Sequence, residues 1–393
     1  MTTRRVAAVS LAVAFLAISS SWSTAAAVGA VPPEQAWGLA HTRLMALAGP
    51  SSAPFGSTAG GTYRRTNAYA WTAGFYPASL WLLYAHSHEA AVLAQARRYT
   101  DAQLSVAGWR GTHDLGFMVG LPAGLALRYD PDATRRGQYA AALDRAARTL
   151  SLRWNPRVHA LKSAEYLGKW GVIIDSAMNA PLLISAGQRI GGPEGARLVS
   201  RGRSHLLTLA TSLVRADGST FHRMAFDPRT GRALGPVPGQ GLGRSSTWSR
   251  GQAWAVNGFT QGFRLTGDVR LLEAARRTAD FWIARVPMGT VPAWDLDVTD
   301  PTALRDASAG AIAADALLSL GRVETDPDRA DRYTTYARSL LSTLLASPFV
   351  DTGNDSKGLL QQQAYSVPVD ARPGTYVWGD TFLLESLSAI GRQ

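Results

Sequence analysis

Asp114 and Asp175 are the residues of this chain best suited to acid and base chemistry. Each stands where a helix is predicted to begin and is followed by residues that leave space above the helix end, Leu115-Gly116 and Ser176-Ala177. An aspartate at a helix start can also simply cap backbone N–H groups, and for either residue alone that is the simpler interpretation. If the two helix starts converge, the carboxylates would share one pocket and could act on a sugar.

Arg250 offers a cation beside several tryptophans. It is predicted to stand in the first turn of a helix, where its charge opposes the helix dipole, so an anion should compensate it. The carboxylate of a uronic acid is one such anion, and a nearby aspartate is an equally simple one. Trp248 and Trp254 flank Arg250, and Trp71 lies at another predicted helix start. Their indole rings could stack on a sugar or pack in the core.

These residues belong to a recurring pattern. Six short segments open a helix with small, aromatic or acidic residues, and a longer amphipathic helix precedes each of them. The six segments are 71–74, 113–116, 175–179, 248–251, 305–308 and 378–380. Their intervals leave room for a loop and a second helix each time, which predicts a repeated pair of helices.

The predicted helices fall into two classes. Amphipathic helices are predicted at 89–107, 134–153, 194–214, 269–286 and 328–347. Helices that are apolar or small nearly all round are predicted at 117–127, 181–190, 253–263, 309–320 and 382–390. Because the second class must be buried on every side, we expect an all-α (α/α)6 barrel, a toroid of six inner and six outer helices whose inner helix starts share one rim. A helical solenoid, the alternative, would have more regular repeats.

The N-terminal residues 1–30 have the pattern of a signal peptide. Arg4 and Arg5 precede an apolar run over 6–18, and Ala25-Ala26-Ala27 supplies small residues for cleavage near 27–30. A twin-arginine signal is the weaker alternative. The sequence therefore predicts a secreted, extracellular protein with a single domain over 31–393. No later apolar run is long enough to hold it stably in a membrane.

Composition narrows the possible partners. The net charge of +11 comes from arginine and favours anionic partners, unless it reflects only an arginine-rich surface. No basic segment has the interleaved aromatics of a nucleic-acid site. The absence of cysteine excludes cysteine nucleophiles and zinc–thiolate sites. Neither a metal site nor a cofactor is predicted, because the glycine-rich turn at 191–195 lacks the strand and lysine of a phosphate-binding loop.

Taken in order, the segments match a known family. They are Trp71-Thr72-Ala73-Gly74-Phe75, His113-Asp114-Leu115-Gly116-Phe117, Ile174-Asp175-Ser176-Ala177-Met178-Asn179, Trp248-Ser249-Arg250-Gly251-Gln252-Ala253-Trp254, Trp294-Asp295-Leu296-Asp297, Arg305-Asp306-Ala307-Ser308 and Trp378-Gly379-Asp380. Together they resemble the unsaturated glucuronyl hydrolases, glycoside hydrolase family 88, from about Pro33 to the C-terminus. Each motif alone is weak, whereas their common order is highly specific.

The resemblance implies a hydrolase for the 4,5-unsaturated uronic acid that a polysaccharide lyase leaves at the non-reducing end of an acidic oligosaccharide. In that family the aspartate that matches Asp175 is the general acid and base: it protonates C4 and then deprotonates a water that adds at C5. The hemiketal rearranges and the aglycone leaves. Asp175 must therefore start protonated, so its pKa should be raised by burial and by a neighbouring negative charge, for which Asp114 is the candidate.

The same matching assigns further residues to substrate binding. They are His113, His222, Gln240, Arg250, Trp248, Trp254 and Trp71. Arg250 would face the uronate carboxylate, with Trp248 and Trp254 beside the sugar ring, and Trp71 would close the pocket wall. No cofactor is implied.

A few positions depart from the family pattern. Ser176-Ala177 follow the catalytic aspartate, where bulkier residues are usual. Ser163-Ala164-Glu165 occupies the place of an expected tryptophan, unless Trp170 substitutes for it, and Thr381 stands where an aromatic is common. These departures affect the expected aglycone preference more than the reaction.

Three other functions stay open on the sequence. A sister family that hydrolyses unsaturated galacturonyl-rhamnose shares the fold and the chemistry. A polysaccharide lyase on a helical toroid could use Asn179, His222 and Arg250. A protein that binds acidic glycans without catalysis is the third. Neither the oligomeric state nor the particular glycan follows from the residues.

Overall fold

The computed structural model describes residues 29–49, 52–58, 61–353 and 357–391. Residues 1–28, which carry most of the predicted signal peptide, lie outside the described residues, so the signal peptide stays a prediction. The described residues form twelve α-helices and ten short strands. None of these helices combines the length and the apolar character needed to cross a membrane.

The helices alternate between an outer and an inner ring. In chain order they are α1 (Pro33–Ala46), α2 (Phe75–Ser87), α3 (Ala90–Leu104), α4 (Leu121–Tyr129), α5 (Ala133–Ser151), α6 (Ala180–Ile190), α7 (Gly192–Ser212), α8 (Ser249–Thr266), α9 (Val269–Arg285), α10 (Ala307–Val323), α11 (Pro327–Leu344) and α12 (Val377–Ile390). The even-numbered helices, together with the turn Gly116–Gly120 that runs into α4, pack side by side in a ring that closes where α12 meets α2. Helix α10 is buried at every position from 307 to 320, whereas the outer helix α9 buries one face. The predicted (α/α)6 barrel is therefore confirmed.

Small residues let the inner helices approach one another closely at the rim. A Cβ atom added to Gly74 would lie 2.0 Å from the carbonyl oxygen of Phe117, and one added to Gly116 would lie 2.6 Å from the Cα of Asn179. One added to Gly258, inside α8, would lie 2.5 Å from the Cβ of Ala177. Larger residues at these positions would force the helix starts apart, which explains the glycines in the recurring segments.

Aromatic rings fill the barrel beneath the rim. The ring of Trp254 lies 5.1 Å from those of Phe117 and Phe382, and the ring of Phe75 lies 5.2 Å from that of Phe117. These side chains come from four inner helices or the turns before them, so they join the ring across its centre. They form a rigid apolar floor under the groups at the helix starts.

Ten short strands form three antiparallel sheets that the sequence interpretation did not include. They are β1 (Ala53–Thr58), β2 (Arg64–Thr66), β3 (Trp154–Asn155), β4 (Ala160–Leu161), β5 (Ala164–Tyr166), β6 (Lys169–Ile173), β7 (Arg223–Phe226), β8 (Ala233–Val237), β9 (Gln363–Ser366) and β10 (Asp370–Tyr376). Their orders are β2-β1-β10-β9, β3-β4 and β5-β6-β7-β8. Strand β10 runs directly into α12, and β6 runs into the turn before α6. The sheets therefore stand on the rim that carries the inner helix starts.

Candidate active site

Asp175 lies in the single helical turn Ile174–Met178 that joins β6 to α6. Its side chain is only 17% exposed, and its buried Oδ1 has no hydrogen-bond partner among the described residues. Burial and, second, the charge of Asp114 raise the pKa of Asp175 to about 7, against the opposing charges of Arg250 and Arg223. A carboxyl group with this pKa can both donate and accept a proton near neutral pH.

Asp114 is held beside Asp175 by side chains from both helix starts. The Thr112 hydroxyl donates to Asp114 Oδ2 at 3.3 Å, and Asn179 Nδ2 donates to Asp114 Oδ1 at 3.3 Å. Asn179 Oδ1 in turn accepts the backbone N–H of Phe117 at 3.2 Å. Asn179 therefore ties the two helix starts together, and the structure brings Asp114 and Asp175 to one pocket.

The aspartates at the inner helix starts do not all have the same role. Asp306 caps α10 by accepting the backbone N–H groups of Ser308 and Ala309 at 3.1 and 3.4 Å. Neither Asp114 nor Asp175 caps the turn that it opens. The capping interpretation therefore applies to Asp306, while the other two carboxylates remain available to the pocket.

His222 faces Asp175 as a neutral imidazole. Its Nδ1 accepts the backbone N–H of Gln240 at 2.7 Å, so the ring proton is on Nε2, which lies 3.7 Å from Asp175 Oδ1. Burial and the charges of Arg223 and Arg250 hold the pKa of His222 well below its usual value. The imidazole therefore presents an N–H group, and not a positive charge, to the Asp175 carboxyl group.

His113 lies beside Asp114. Its Nε2 is 3.3 Å from Asp114 Oδ1, and 16% of its side chain is exposed. Burial lowers the pKa of His113, and this effect outweighs the attraction of Asp114. The structure thus places both predicted histidines at the carboxylates, in the neutral form.

Arg250 is compensated by Asp306, the alternative that the sequence left open. Its Nη1 donates to Asp306 Oδ2 at 2.7 Å, and the two side chains are 1% and 0% exposed. Nη1 also donates to the carbonyl oxygen of Ala364, and Nη2 donates to that of Tyr365 and to Gln240 Oε1. Protein groups thus hold both ends of the guanidinium group, so the sequence-based contact with a uronate carboxylate stays a prediction.

The three predicted tryptophans occupy different depths. Trp71 is half-buried at the rim, where its ring lies 5.2 Å from that of Trp378. Trp248 is 3% exposed and packs between His222 and Arg250, at 4.4 and 4.6 Å from its ring. Trp254 is 1% exposed. Its ring packs against Phe117 and Phe382 in the apolar floor, and its contact with the sugar stays a prediction.

Asp295 fixes the loop that presents Gln240. Its Oδ2 accepts the backbone N–H of Leu242 at 2.9 Å and the Ser246 hydroxyl at 2.7 Å. Asp297 Oδ2 accepts the backbone N–H of Thr247 at 2.8 Å. The Trp294-Asp295-Leu296-Asp297 segment therefore positions the loop before α8 through its two carboxylates.

His205, which the sequence interpretation missed, holds the turn that carries Asp175. The Ser176 hydroxyl donates to the carbonyl oxygen of Ile173 at 2.5 Å, and His205 Nε2 donates to that hydroxyl at 2.9 Å. His205 Nδ1 accepts the backbone N–H of Leu161 at 3.1 Å. Burial lowers the pKa of His205 to about 3, so it is neutral. Its position on the apolar face of an amphipathic helix was the available sequence signal.

The arrangement suits proton transfer. One carboxyl group with a raised pKa stands beside a second carboxylate, two neutral imidazoles and a glutamine whose backbone fixes one of those imidazoles. Among the described residues, no group of three or more potential ligands is placed to hold a metal ion.

Known proteins were compared with this chain. No family model matches it. An unsaturated glucuronyl hydrolase of Bacillus sp. strain GL1 is 33% identical over 346 residues, which cover 82% of this chain and 86% of the relative. An unsaturated chondroitin disaccharide hydrolase of Streptococcus pneumoniae is 29% identical over 81% of each chain.

The chain belongs to the unsaturated glucuronyl hydrolase family. The family resemblance seen in the motifs is thereby confirmed, and the protein is a glycoside hydrolase. Its fold agrees: the crystal structure of an unsaturated glucuronyl hydrolase specific for heparin superposes with a TM-score of 0.85 at 29% identity, covering 92% of this chain and 96% of the other.

Proposed function

We propose that the protein removes the 4,5-unsaturated glucuronic acid from the non-reducing end of oligosaccharides that lyases release from acidic polysaccharides. The observation that carries the proposal is the Asp175 carboxyl group, whose pKa is raised to about 7 by burial and by Asp114. Its Oδ1 has no hydrogen-bond partner among the described residues. Both curated relatives described above are named as hydrolases of such unsaturated sugars.

The proposed reaction needs one carboxyl group. Protonated Asp175 gives its proton to C4 of the C4=C5 double bond, and the positive charge that develops at C5 is shared with the ring oxygen. Water adds at C5 and returns a proton to the Asp175 carboxylate. The hemiketal opens to a ketone at C5, and the hemiacetal formed at C1 releases the aglycone. Because Asp175 serves both proton transfers, the spacing of the carboxyl pair in ordinary glycosidases is not required.

The neighbouring groups tune this carboxyl group. Asp114 keeps the Asp175 proton in place at neutral pH by its charge, and it can accept hydrogen bonds from sugar hydroxyls. The Nε2–H of His222 is aimed at Asp175 Oδ1 and can stabilise the carboxylate left after proton transfer. Trp71, His113 and Gln240 complete the proposed contacts with the sugar.

The test is turnover of a panel of lyase-generated disaccharides from chondroitin, hyaluronan, heparin and ulvan, with a pectin-derived unsaturated galacturonyl-rhamnose for comparison. A hydrolase of this type removes the conjugated double bond, so near-ultraviolet absorbance falls as substrate is consumed. Turnover of the pectin disaccharide alone would favour the sister activity. A rise of absorbance on intact polysaccharide would identify a lyase and refute the proposal.

We also propose that the protein is exported, on the basis of the pattern in residues 1–30. Cell fractionation of the native host and N-terminal sequencing of the mature protein test this. A mature chain that begins near residues 28–31 in the extracellular fraction is expected, and full-length protein inside the cell would contradict it.

A further inference from the structure

Arg223 is an arginine of the site whose hydrogen-bonding capacity is largely unused. Its Nη1 donates to the carbonyl oxygen of Pro238 at 3.1 Å, and its buried Nε has no partner. No carboxylate among the described residues forms an ion pair with it, although its charge acts on Asp175. A guanidinium group has five N–H donors, and because Nε is buried and Nη1 makes one bond, the two donors of Nη2 and the second donor of Nη1 remain for a ligand.

The guanidinium group of Arg223 rests on a platform built across three strands. Its Cζ lies 4.6 Å from the centre of the Tyr166 ring. The ring of Tyr166, which belongs to β5, lies over Gly171 of the neighbouring strand β6. A Cβ atom added to Gly171 would lie 2.3 Å from that ring. Only glycine at position 171 leaves room for the Tyr166 ring. Strand β7, which pairs with β6 on its other edge, then places the Arg223 guanidinium group over the Tyr166 ring. The stacking leaves the edge of the guanidinium group, which carries the donors, free for a planar or tetrahedral oxyanion.

This platform borders the catalytic pocket. Arg223 pairs in register with Ile173, two residues before Asp175, and follows His222 in the chain. The charge of Arg223 opposes the rise that burial and Asp114 cause in the pKa of Asp175, and it adds to the lowering that burial causes in the pKa of His222 and of His113. Burial raises the pKa of Tyr166, and the negative charges of Asp175 and Asp114 add to that rise. Arg223 and Tyr166 therefore lie within electrostatic reach of every titratable group that faces the proposed reaction.

Two other arginines around the pocket, Arg250 and Arg153, already donate hydrogen bonds to several protein groups. Arg250 is ion-paired with Asp306 and bonded to two backbone carbonyl groups. Arg153 donates from Nε, Nη1 and Nη2 to the carbonyl oxygens of Lys162, Arg110 and Ser163. Among the described residues, neither Arg153 nor Arg223 has a carboxylate partner. Arg153 donates from all three of its side-chain nitrogens, whereas Arg223 donates from Nη1 alone. Arg223 is therefore the best placed to meet a negative charge brought by the substrate.

We propose that Arg223, stacked on Tyr166, is a binding subsite for an oxyanion of the substrate. The inference rests on the proposed function, because it takes the ligand to be an unsaturated acidic disaccharide. Such a ligand offers two oxyanions of the same chemistry, the carboxylate of the unsaturated residue and a sulfate ester on the next sugar. The subsite would make this enzyme select substrates by their negative charge at that point.

The test measures binding and not turnover, so that it is separate from the test of the reaction. Calorimetric titration of Asp175→Asn protein with an unsulfated and with a 6-sulfated unsaturated chondroitin disaccharide gives two dissociation constants. The titrations are repeated in Asp175→Asn protein that also carries Arg223→Gln or Arg223→Lys. Loss of charge-assisted hydrogen bonds predicts a rise of the dissociation constant of about tenfold or more for Arg223→Gln, and a smaller rise for Arg223→Lys.

Arg232→Gln is the matched control. Arg232 lies in the turn between β7 and β8, is exposed, and its replacement removes the same charge from the same hairpin. It should leave both dissociation constants unchanged. An equal effect of Arg232→Gln and Arg223→Gln would show a general electrostatic attraction and would overturn the subsite.

The two ligands distinguish the two oxyanions. A weakening by Arg223→Gln on both disaccharides assigns the uronate carboxylate, and a weakening on the sulfated disaccharide alone assigns the sulfate ester. Unchanged binding of both, or no binding of either to the Asp175→Asn protein, overturns the proposal. If binding depends on Arg223 but the unmodified protein turns over no disaccharide of the panel described above, the subsite stands and the proposed reaction fails.

Discussion

Asp175 and its immediate neighbours determine when the protein can act. Burial and Asp114 raise the pKa of Asp175 to about 7, and Arg250 and Arg223 limit the rise. His222 and His113 are neutral, so they add no charge that would pull the proton from Asp175. The pKa of Asp175 therefore depends on the balance between the negative charge of Asp114 and the positive charges of Arg250 and Arg223.

The pH dependence of kcat tests that balance. Since the protonated form of Asp175 starts the reaction, kcat should fall as pH rises through about 7. Asp114→Asn removes a charge that raises the pKa of Asp175, so the descending limb of the plot of kcat against pH should move to lower pH. Asp300→Asn, in an exposed loop, is the control and should leave the limb in place. A limb that stays unchanged in Asp114→Asn would contradict the assigned role of Asp114.

At the scale of elements, helices and sheets supply the site together. The turn before α6 carries Asp175, the segment before α4 carries Asp114, and β7 follows His222. Buried polar contacts tie these elements: Asn179 joins the two helix starts, and His205 on α7 bonds Ser176 in the catalytic turn. The position of the catalytic carboxyl group thus depends on residues that do not touch substrate.

His205→Ala should weaken both the fold and the reaction. It leaves the backbone N–H of Leu161 without its acceptor and Ser176 without its donor in a buried place, which costs about 1 to 3 kcal/mol. The catalytic turn then loses an anchor, so kcat should fall more than KM changes. Urea unfolding and steady-state kinetics measure the two effects, with the more exposed His41→Ala as control. Wild-type kcat in a folded His205→Ala protein would refute the positioning role.

The Arg250–Asp306 pair links α8, α10 and β9. Asp306→Asn should leave the Arg250 charge buried without its partner, at a cost of about 3 to 5 kcal/mol. Asp101→Asn breaks the exposed pair with Arg135 and should cost about 1 kcal/mol or less. Chemical denaturation of both variants compares them, and equal losses of unfolding free energy would contradict a structural role for the buried pair.

Sequence periodicity predicted the elements that have a long repeat and missed those that are short. The all-apolar pattern of 309–320 and the amphipathic pattern of 269–286 identified α10 and α9, because burial on all sides or on one face leaves a clear signature. Strands of two to seven residues leave none. Asp114 and Asp175 were found from their places at predicted helix starts, and the two histidines from the family resemblance. Arg223 and Tyr166 meet only through strand register, which the sequence does not reveal.

At the scale of the whole molecule, the barrel shields carboxyl groups at a cost in stability. Asp175 and Asp380 both have a pKa raised to about 7, chiefly by burial. Between pH 4 and pH 7 the unfolded chain ionises both groups while the folded chain keeps their protons, so folding becomes less favourable as pH rises. Keeping Asp175 protonated in the folded protein thus lowers the free energy of unfolding at neutral pH, because the same carboxyl group ionises when the chain unfolds into water.

Asp175→Asn should relieve part of that cost. The variant cannot ionise at position 175, so its melting temperature should exceed that of the wild type at pH 7 to 8. The difference should shrink toward about pH 3, below the ordinary aspartate pKa of about 3.9, where Asp175 is protonated in the folded and in the unfolded chain. Differential scanning calorimetry across this pH range gives the comparison. A difference that is independent of pH would show that the effect comes from packing and not from ionisation.

The most direct measurement is the rate at which the Asp175→Asn protein removes the near-ultraviolet absorbance of an unsaturated glucuronyl disaccharide that the wild type consumes. We predict that kcat falls by about a thousandfold or more while the disaccharide still binds. The reason is that Asp175 is the group of the pocket that both carries a transferable proton near neutral pH and is placed to deliver it. Turnover of the Asp175→Asn protein at the wild-type rate would contradict the account.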